Sequence, residues 1–160
     1  MAKEIERKFL VKNTSFVDLA EMAVDIRQAY LSRNPDATVR IRMYGDKAFL
    51  TVKGRTHGAT RDEWEYPVPV EDAAAMIERL ADGIVIDKTR YIVPYAGMRW
   101  EVDMFHGAHD GLILAELELE TECQSVDMPP FVGDEVTGDP RYYNSHLAGA
   151  DFPDSPARCE

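Results

Sequence analysis

Six pairs of charged residues recur at a spacing of two: Glu4 and Glu6, Arg40 and Arg42, Glu63 and Glu65, Lys88 and Arg90, Glu101 and Asp103, Glu116 and Glu118. Residues two apart share a face in an extended strand, so each pair points one way and its apolar or aromatic neighbours point the other. In the first of these stretches Glu4, Glu6 and Lys8 fall on one face, with Ile5, Phe9 and Val11 opposite. A solvated strand face yields one such pair for nothing. A series, segregated by sign from strand to strand, points to a closed sheet whose charged faces turn inward on a ligand. Two arginines on one strand face offer planar forks suited to phosphate oxygens, with Arg90 a further fork and Lys8, Lys53 and Lys88 as point charges. Glu4, Glu6, Glu116 and Glu118 are hard oxygen donors suited to one or two Mg²⁺ or Mn²⁺ ions. Cross-strand ion pairing alone accounts for any single pair. Taken together, so many charges inside a barrel are costly without a polyanion to meet them.

Composition sets bounds around this reading. The 160 residues, 45% hydrophobic and 29% charged, fit one soluble globular domain over 1–150, with a tail at 151–160 expected to fray. A net charge of -11 argues against nucleic acid as a partner but permits a small anion held by locally clustered cations. No apolar run approaches the roughly 20 residues of a membrane helix, and the charged N-terminus does not read as a signal peptide. Cys123 and Cys159 make no disulfide framework, so a reduced, cytoplasmic setting is expected. A homodimer is left open.

The positioning elements read as follows. After the first strand, Asn13-Thr14-Ser15 precedes a short helix at 16–20 with a serine or threonine N-cap. Strands are expected at 25–33, 38–44, 47–54, 61–70, 84–93, 98–105 and 112–122, with a tight hairpin across Gly45-Asp46. Helical spacing marks 71–81, stopped by Asp82-Gly83, and a short helix at 140–147. The result is a mainly β, α+β fold: an eight-stranded antiparallel barrel with helices packed outside, its lumen wide enough for one small ligand. The outer covers are expected at 71–81 and 140–147. His106 and His109 read as solvent-exposed loop residues; Trp64, Tyr91 and Trp100 read as core. There is no P-loop and no Gly-x-Ser-x-Gly elbow.

Glu-x-Glu-x-Lys at 4–8 is weak alone. Followed by Val39-Arg40-Ile41-Arg42, Thr51-Val52-Lys53-Gly54, Glu63-Trp64-Glu65, Lys88-Thr89-Arg90-Tyr91, Trp100-Glu101-Val102-Asp103 and Glu116-Leu117-Glu118, it resembles the CYTH family, the triphosphate tunnel metalloenzymes, from Lys3 to about Ala148. The resemblance implies metal-dependent hydrolysis of a small-molecule triphosphate, inorganic tripolyphosphate before an organic one. It implies metal ligation by Glu4, Glu6, Glu116 and Glu118, and phosphate binding by Lys8, Arg40, Arg42, Lys53, Lys88 and Arg90. Glu63, Glu65, Glu101 and Asp103 are then supporting carboxylates that orient the cations. Tyr30 matches a tyrosine of the family sometimes assigned as proton acceptor, and is taken with Lys88 as catalytic. A free phenol titrates near 10, so metal-bound water is the better nucleophile source. The alternatives are an adenylyl cyclase, with a ribose hydroxyl in place of water, and a non-catalytic nucleotide or polyphosphate-binding module.

Overall fold

A computed structural model describes residues 2–149; the tail beyond 150 lies outside the described residues. The strands are β1 (Ala2–Val11), β2 (Met22–Ser32), β3 (Thr38–Tyr44), β4 (Lys47–Lys53), β5 (Thr60–Pro67), β6 (Ile86–Tyr95), β7 (Met98–Phe105), β8 (Ile113–Glu118) and β9 (Val132–Glu135). Eight of them run β5-β4-β3-β2-β6-β7-β8-β1, all antiparallel, and β1 pairs back onto β5 through Ala2↔Glu63 to Ile5↔Thr60. That closes the barrel. The ninth strand lies beside the far half of β1 and was not expected from its sequence, because Val132–Glu135 is too short to show alternation.

Local chemistry explains the boundaries. The β3–β4 turn is Gly45-Asp46, and Gly45 takes φ of 60°, a left-handed conformation that glycine adopts at little cost. β5 ends at Pro67, where the ring removes a ladder donor. β2 begins three residues earlier than its alternation indicates, because Met22, Ala23 and Val24 pair with Ile92, Tyr91 and Arg90. At α1 (Phe16–Leu19) the expected serine cap does not form. Ser15 Oγ instead donates to Asn13 Oδ1 at 2.6 Å.

Pleat parity sorts the side chains. Outward residues of β1, β6, β7 and β8, among them Phe9, Val93, Trp100, Val102 and Leu117, are covered by Phe16 of α1 and by Phe131 and Val132 near β9. On the opposite wall α2 (Val70–Leu80) lays Ala73 and Ile77 on Ala29, Ile41 and Ala48. Trp100 and Tyr91 join the core as expected, but Trp64 stays half-exposed and belongs to none of the buried clusters. No helix among the described residues is long and apolar enough to cross a membrane.

The segment expected as a helix at 140–147 forms a 3-10 turn (Pro140–Tyr142) and a single turn α3 (Asn144–Leu147), broken at the extended Tyr143. It does not lie along the wall. Tyr142, Leu147 and Ala148 pack on Leu10, Tyr30, Ile86, Phe105 and Leu114, which face inward at one end of the barrel. There it forms a plug. His109, expected in solvent, is buried beneath this plug, and its Nε2 donates to the Leu147 carbonyl at 2.6 Å. His106 is exposed and sits against Thr89.

The plug carries one evident cost. The Tyr142 hydroxyl is buried with no hydrogen-bond partner among the described residues. A polar group in that position typically costs about 1–3 kcal/mol. Tyr142→Phe is therefore expected to unfold in urea at an equal or higher midpoint than the parent. A clear fall would show that the hydroxyl is hydrogen-bonded after all.

Candidate active site

The inward faces of the strands line a cavity of about 720 Å³. It is bounded by the β3–β4 and β6–β7 hairpins, the loop around Gly58 and the plug residues Tyr143 to Ser145. Lys8, Arg40, Arg42, Lys53 and Arg90 line it, as do Tyr30, Glu4, Glu6, Glu63, Glu65, Glu101, Glu116 and Glu118. Lys88 and Asp103 do not. They share the inward face but lie deeper, between the cavity and the plug, 2.7 Å apart, with the lysine side chain fully buried.

The cations fall into two groups. Some are matched by carboxylates. Lys53 Nζ donates to both oxygens of Glu4, at 3.0 and 2.9 Å. Lys8 Nζ stands 3.5 Å from Glu116 and donates to the Tyr142 carbonyl at 2.9 Å. Arg90 grips Asp103 through two bonds of 2.8 and 2.9 Å and reaches Glu101 at 3.3 Å. Arg40 and Arg42 have no carboxylate partner within ion-pair distance among the described residues. Arg40 donates to Thr51 Oγ1 at 3.4 Å, and Thr51 in turn to Glu65 at 3.2 Å. Arg42 Nε donates to Gln28 Oε1 at 2.8 Å. Arg40 Nε and Gln28 Nε2 are buried donors with no acceptor among the described residues. A wall with orphaned donors and two unmatched guanidinium groups is built for an anion.

The electrostatics agree. Burial, with Arg40 and Arg90 beside it, pushes Arg42 down to about 9. Burial also pushes Lys88 down to about 7, with repulsion from Arg90 and Arg42 that Asp103 offsets only in part. Burial alone would raise Glu116, but Lys8, Arg90 and Lys88 outweigh it and hold the carboxylate at about 2. Asp103 is likewise held far below the usual carboxylate range by Arg90 and Lys88, against its burial.

The acidic side is short of positive charge. Glu6 sits directly across from Glu118 on β8, and neither forms an ion pair among the described residues. Burial, then the charges of Glu116 and Glu4, push Glu6 up to about 8. Glu118 is raised by burial and then by Glu4 and Glu101, and Glu63 by burial with help from Glu4 and Glu65, against the pull of Lys53. No three acidic or histidine side chains among the described residues converge into a ready-made cage. A hard divalent ion does not need one, since Mg²⁺ typically takes one or two carboxylates and completes its shell with water and phosphate. A carboxylate driven to keep its proton is a donor whose missing partner is a cation, so the donor set fits such an ion.

Sequence alternation had the means to find Gln28 and Thr51, which share faces with Tyr30 and Lys53. It carries no signal for Tyr142 or Asn144, because the plug has no period.

Barrel and lumen together define a polyanion-binding enzyme-like tunnel. The CYTH domain model matches residues 2–143, and the chain belongs to that family. It is similar to an inorganic triphosphatase of Acetivibrio thermocellus, 46% identical over 92% of this chain and 94% of that protein. A second inorganic triphosphatase, from Nitrosomonas europaea, is 38% identical over 91% of this chain and 96% of its own length. A solved inorganic triphosphatase structure, 34% identical, superposes with a TM-score of 0.68 over 96% of this chain and 99% of that one.

The Glu6 shift has a measurable consequence. Its proton is retained in the fold to about 8 but released in the unfolded chain near 4.5. Between those values the folded state binds more protons, so this group makes stability fall as pH rises. Without divalent ions, Glu6→Gln is expected to melt higher than the parent at pH 8.5 and nearly with it at pH 4. Equal melting temperatures at pH 8.5 would show that Glu6 is not under this strain.

Proposed function

We propose that the protein hydrolyses inorganic tripolyphosphate to pyrophosphate and phosphate in this lumen, with a divalent metal. The observation that carries the reading is the Arg40–Arg42 pair, inward, largely buried and without a carboxylate partner among the described residues. The relatives named as inorganic triphosphatases supply the reaction class.

In this reading Arg40 and Arg42 fork the phosphate oxygens from β3, while Lys8, Lys53 and Arg90 close around the chain of phosphates. Glu65 through Thr51, and Asp103 and Glu101 through Arg90, keep those cations in place. Positive charge fixed before the reaction is charge already placed for the phosphoryl oxygens in the transition state. Glu6 and Glu118, with Glu4 and Glu116 beside them, would hold Mg²⁺ or Mn²⁺, which supplies charge neutralisation and a water acidic enough to attack near neutral pH. Two ions fit the two carboxylate pairs. Lys88 reaches the lumen only through its neighbours, so its contribution is to hold Asp103 and the plug. Tyr30 lines the lumen, at the position where the family resemblance assigns a proton acceptor. A reduced, cytoplasmic setting suits the free, exposed Cys123.

The test is a panel of tripolyphosphate, ATP and thiamine triphosphate with Mg²⁺ or Mn²⁺, scoring phosphate, pyrophosphate and cyclic nucleotide separately. Tripolyphosphate cleavage is expected to dominate. Arg40→Ala is expected to weaken tripolyphosphate binding by roughly ten- to a hundredfold, since bonds to charged groups contribute about 1.5–3 kcal/mol. The double variant Glu116→Gln/Glu118→Gln is expected to stay folded and lose turnover. Unchanged affinity in the first, or full activity in the second, would overturn the assignment.

A further inference from the structure

The plug does more than close one end of the barrel. Tyr143, Asn144 and Ser145 line the lumen beside Lys8 and Arg90. Two bonds fix the segment there: the Tyr142 carbonyl accepts from Lys8 Nζ at 2.9 Å, and Asn144 Oδ1 accepts from Lys88 Nζ at 3.3 Å. The second bond fixes which way the amide faces. An ammonium can only donate, so the carboxamide must turn its oxygen to Lys88. Its nitrogen, with two hydrogens, is then turned away from Lys88. That nitrogen donates to no group among the described residues, although Asn144 is half-buried. Lys88 itself is fully buried and does not reach the cavity.

We propose that Asn144 is a substrate ligand of this chain: its side-chain amide, oriented by Lys88, donates to a phosphate oxygen of the bound triphosphate. The proposal rests on the triphosphatase reading and adds a neutral donor from the plug to the cations of the barrel wall. It also gives buried Lys88 a route to the substrate, because an ammonium bonded to the amide oxygen polarises the amide and strengthens its N–H groups as donors. The plug thereby becomes part of the binding site. A merely structural Asn144 would hold Lys88 and nothing else.

Two substitutions separate these roles. Asn144→Ala removes both the acceptor for Lys88 and the donor to phosphate. Asn144→Asp removes the donor but keeps, and strengthens, the acceptor for Lys88. Binding of tripolyphosphate is read by calorimetry in Ca²⁺, alongside melting temperatures without ligand. The expected result is a loss of affinity of about fivefold or more in Asn144→Ala and a larger loss in Asn144→Asp, which places a negative charge against the polyanion. Asn144→Asp should melt no lower than Asn144→Ala. If aspartate instead restores parental affinity, Asn144 acts only by holding Lys88 and the proposal fails. It also fails if Asn144→Ala binds within twofold of the parent. Should the aspartate variant not fold, affinity within twofold of the parent in the alanine variant still overturns the proposal. A parent that itself shows no affinity for tripolyphosphate sinks the triphosphatase reading, a result distinct from a parent that binds and variants that bind equally.

Discussion

Everything in this fold answers to the cost of putting charge inside a closed barrel. An ion taken out of water loses hydration worth several kcal/mol, and a partner in good geometry must replace it. The lumen meets that cost unevenly. Arg90, Lys88 and Asp103 form a compact triad, fully buried, in which one carboxylate takes bonds from two cations. Lys53 and Glu4 satisfy each other, and Lys8 is shared between Glu116 and a backbone carbonyl. Those groups are structural first. What remains is a cationic remainder on β3, Arg40 and Arg42, and an acidic remainder across β1 and β8, Glu6 and Glu118. The two remainders are what a triphosphate and a divalent ion would complete, and a single ligand carrying both signs relieves both at once.

The same constraint explains how an acidic protein presents a site for an anion. A net charge of -11 repels polyanions at long range, but the range is short in salt, about 8–10 Å at physiological ionic strength. Inside the barrel the nearest charges dominate, and there the β3 arginines face the lumen with no carboxylate bound to them among the described residues. Divalent ions gathered by the surplus carboxylates would shift the local sign further.

Much of this was legible before the fold was known, because parity is a local property. Alternation at 4–11, 38–44 and 47–53 placed Glu4, Glu6, Lys8, Arg40, Arg42 and Lys53 on one face, and the structure turns that face inward. Closure was legible only indirectly, through the number of charged faces needing shelter. What stayed hidden is non-local. Nothing in Tyr142-Tyr143-Asn144 indicates that it enters the barrel end; that follows from Leu10, Tyr30, Ile86, Phe105 and Leu114 being apolar at inward positions where the charged pattern stops. Once those residues are recognised as an apolar collar, some apolar segment must cover it, and Tyr142, Leu147 and Ala148 do so. His109 was misplaced for the same reason, since its burial depends on that cover.

The collar also bears on why Lys88 is set apart from the other cations. At its level on β6 the inward face passes from charge at Arg90 to apolar at Ile86, and the lysine lies between. Its ammonium meets Asp103 on one side, Asn144 on another and the Phe105 ring at 5.3 Å. A lysine so enclosed cannot serve as a mobile phosphate ligand without breaking a buried ion pair, which typically costs 3–5 kcal/mol. An arginine in the same role needs no such movement, and Arg40 and Arg42 are already in the lumen. In the proposed reading the division of labour follows from burial: guanidinium groups lining the cavity would bind, and the ammonium beneath it would hold Asp103 and the plug.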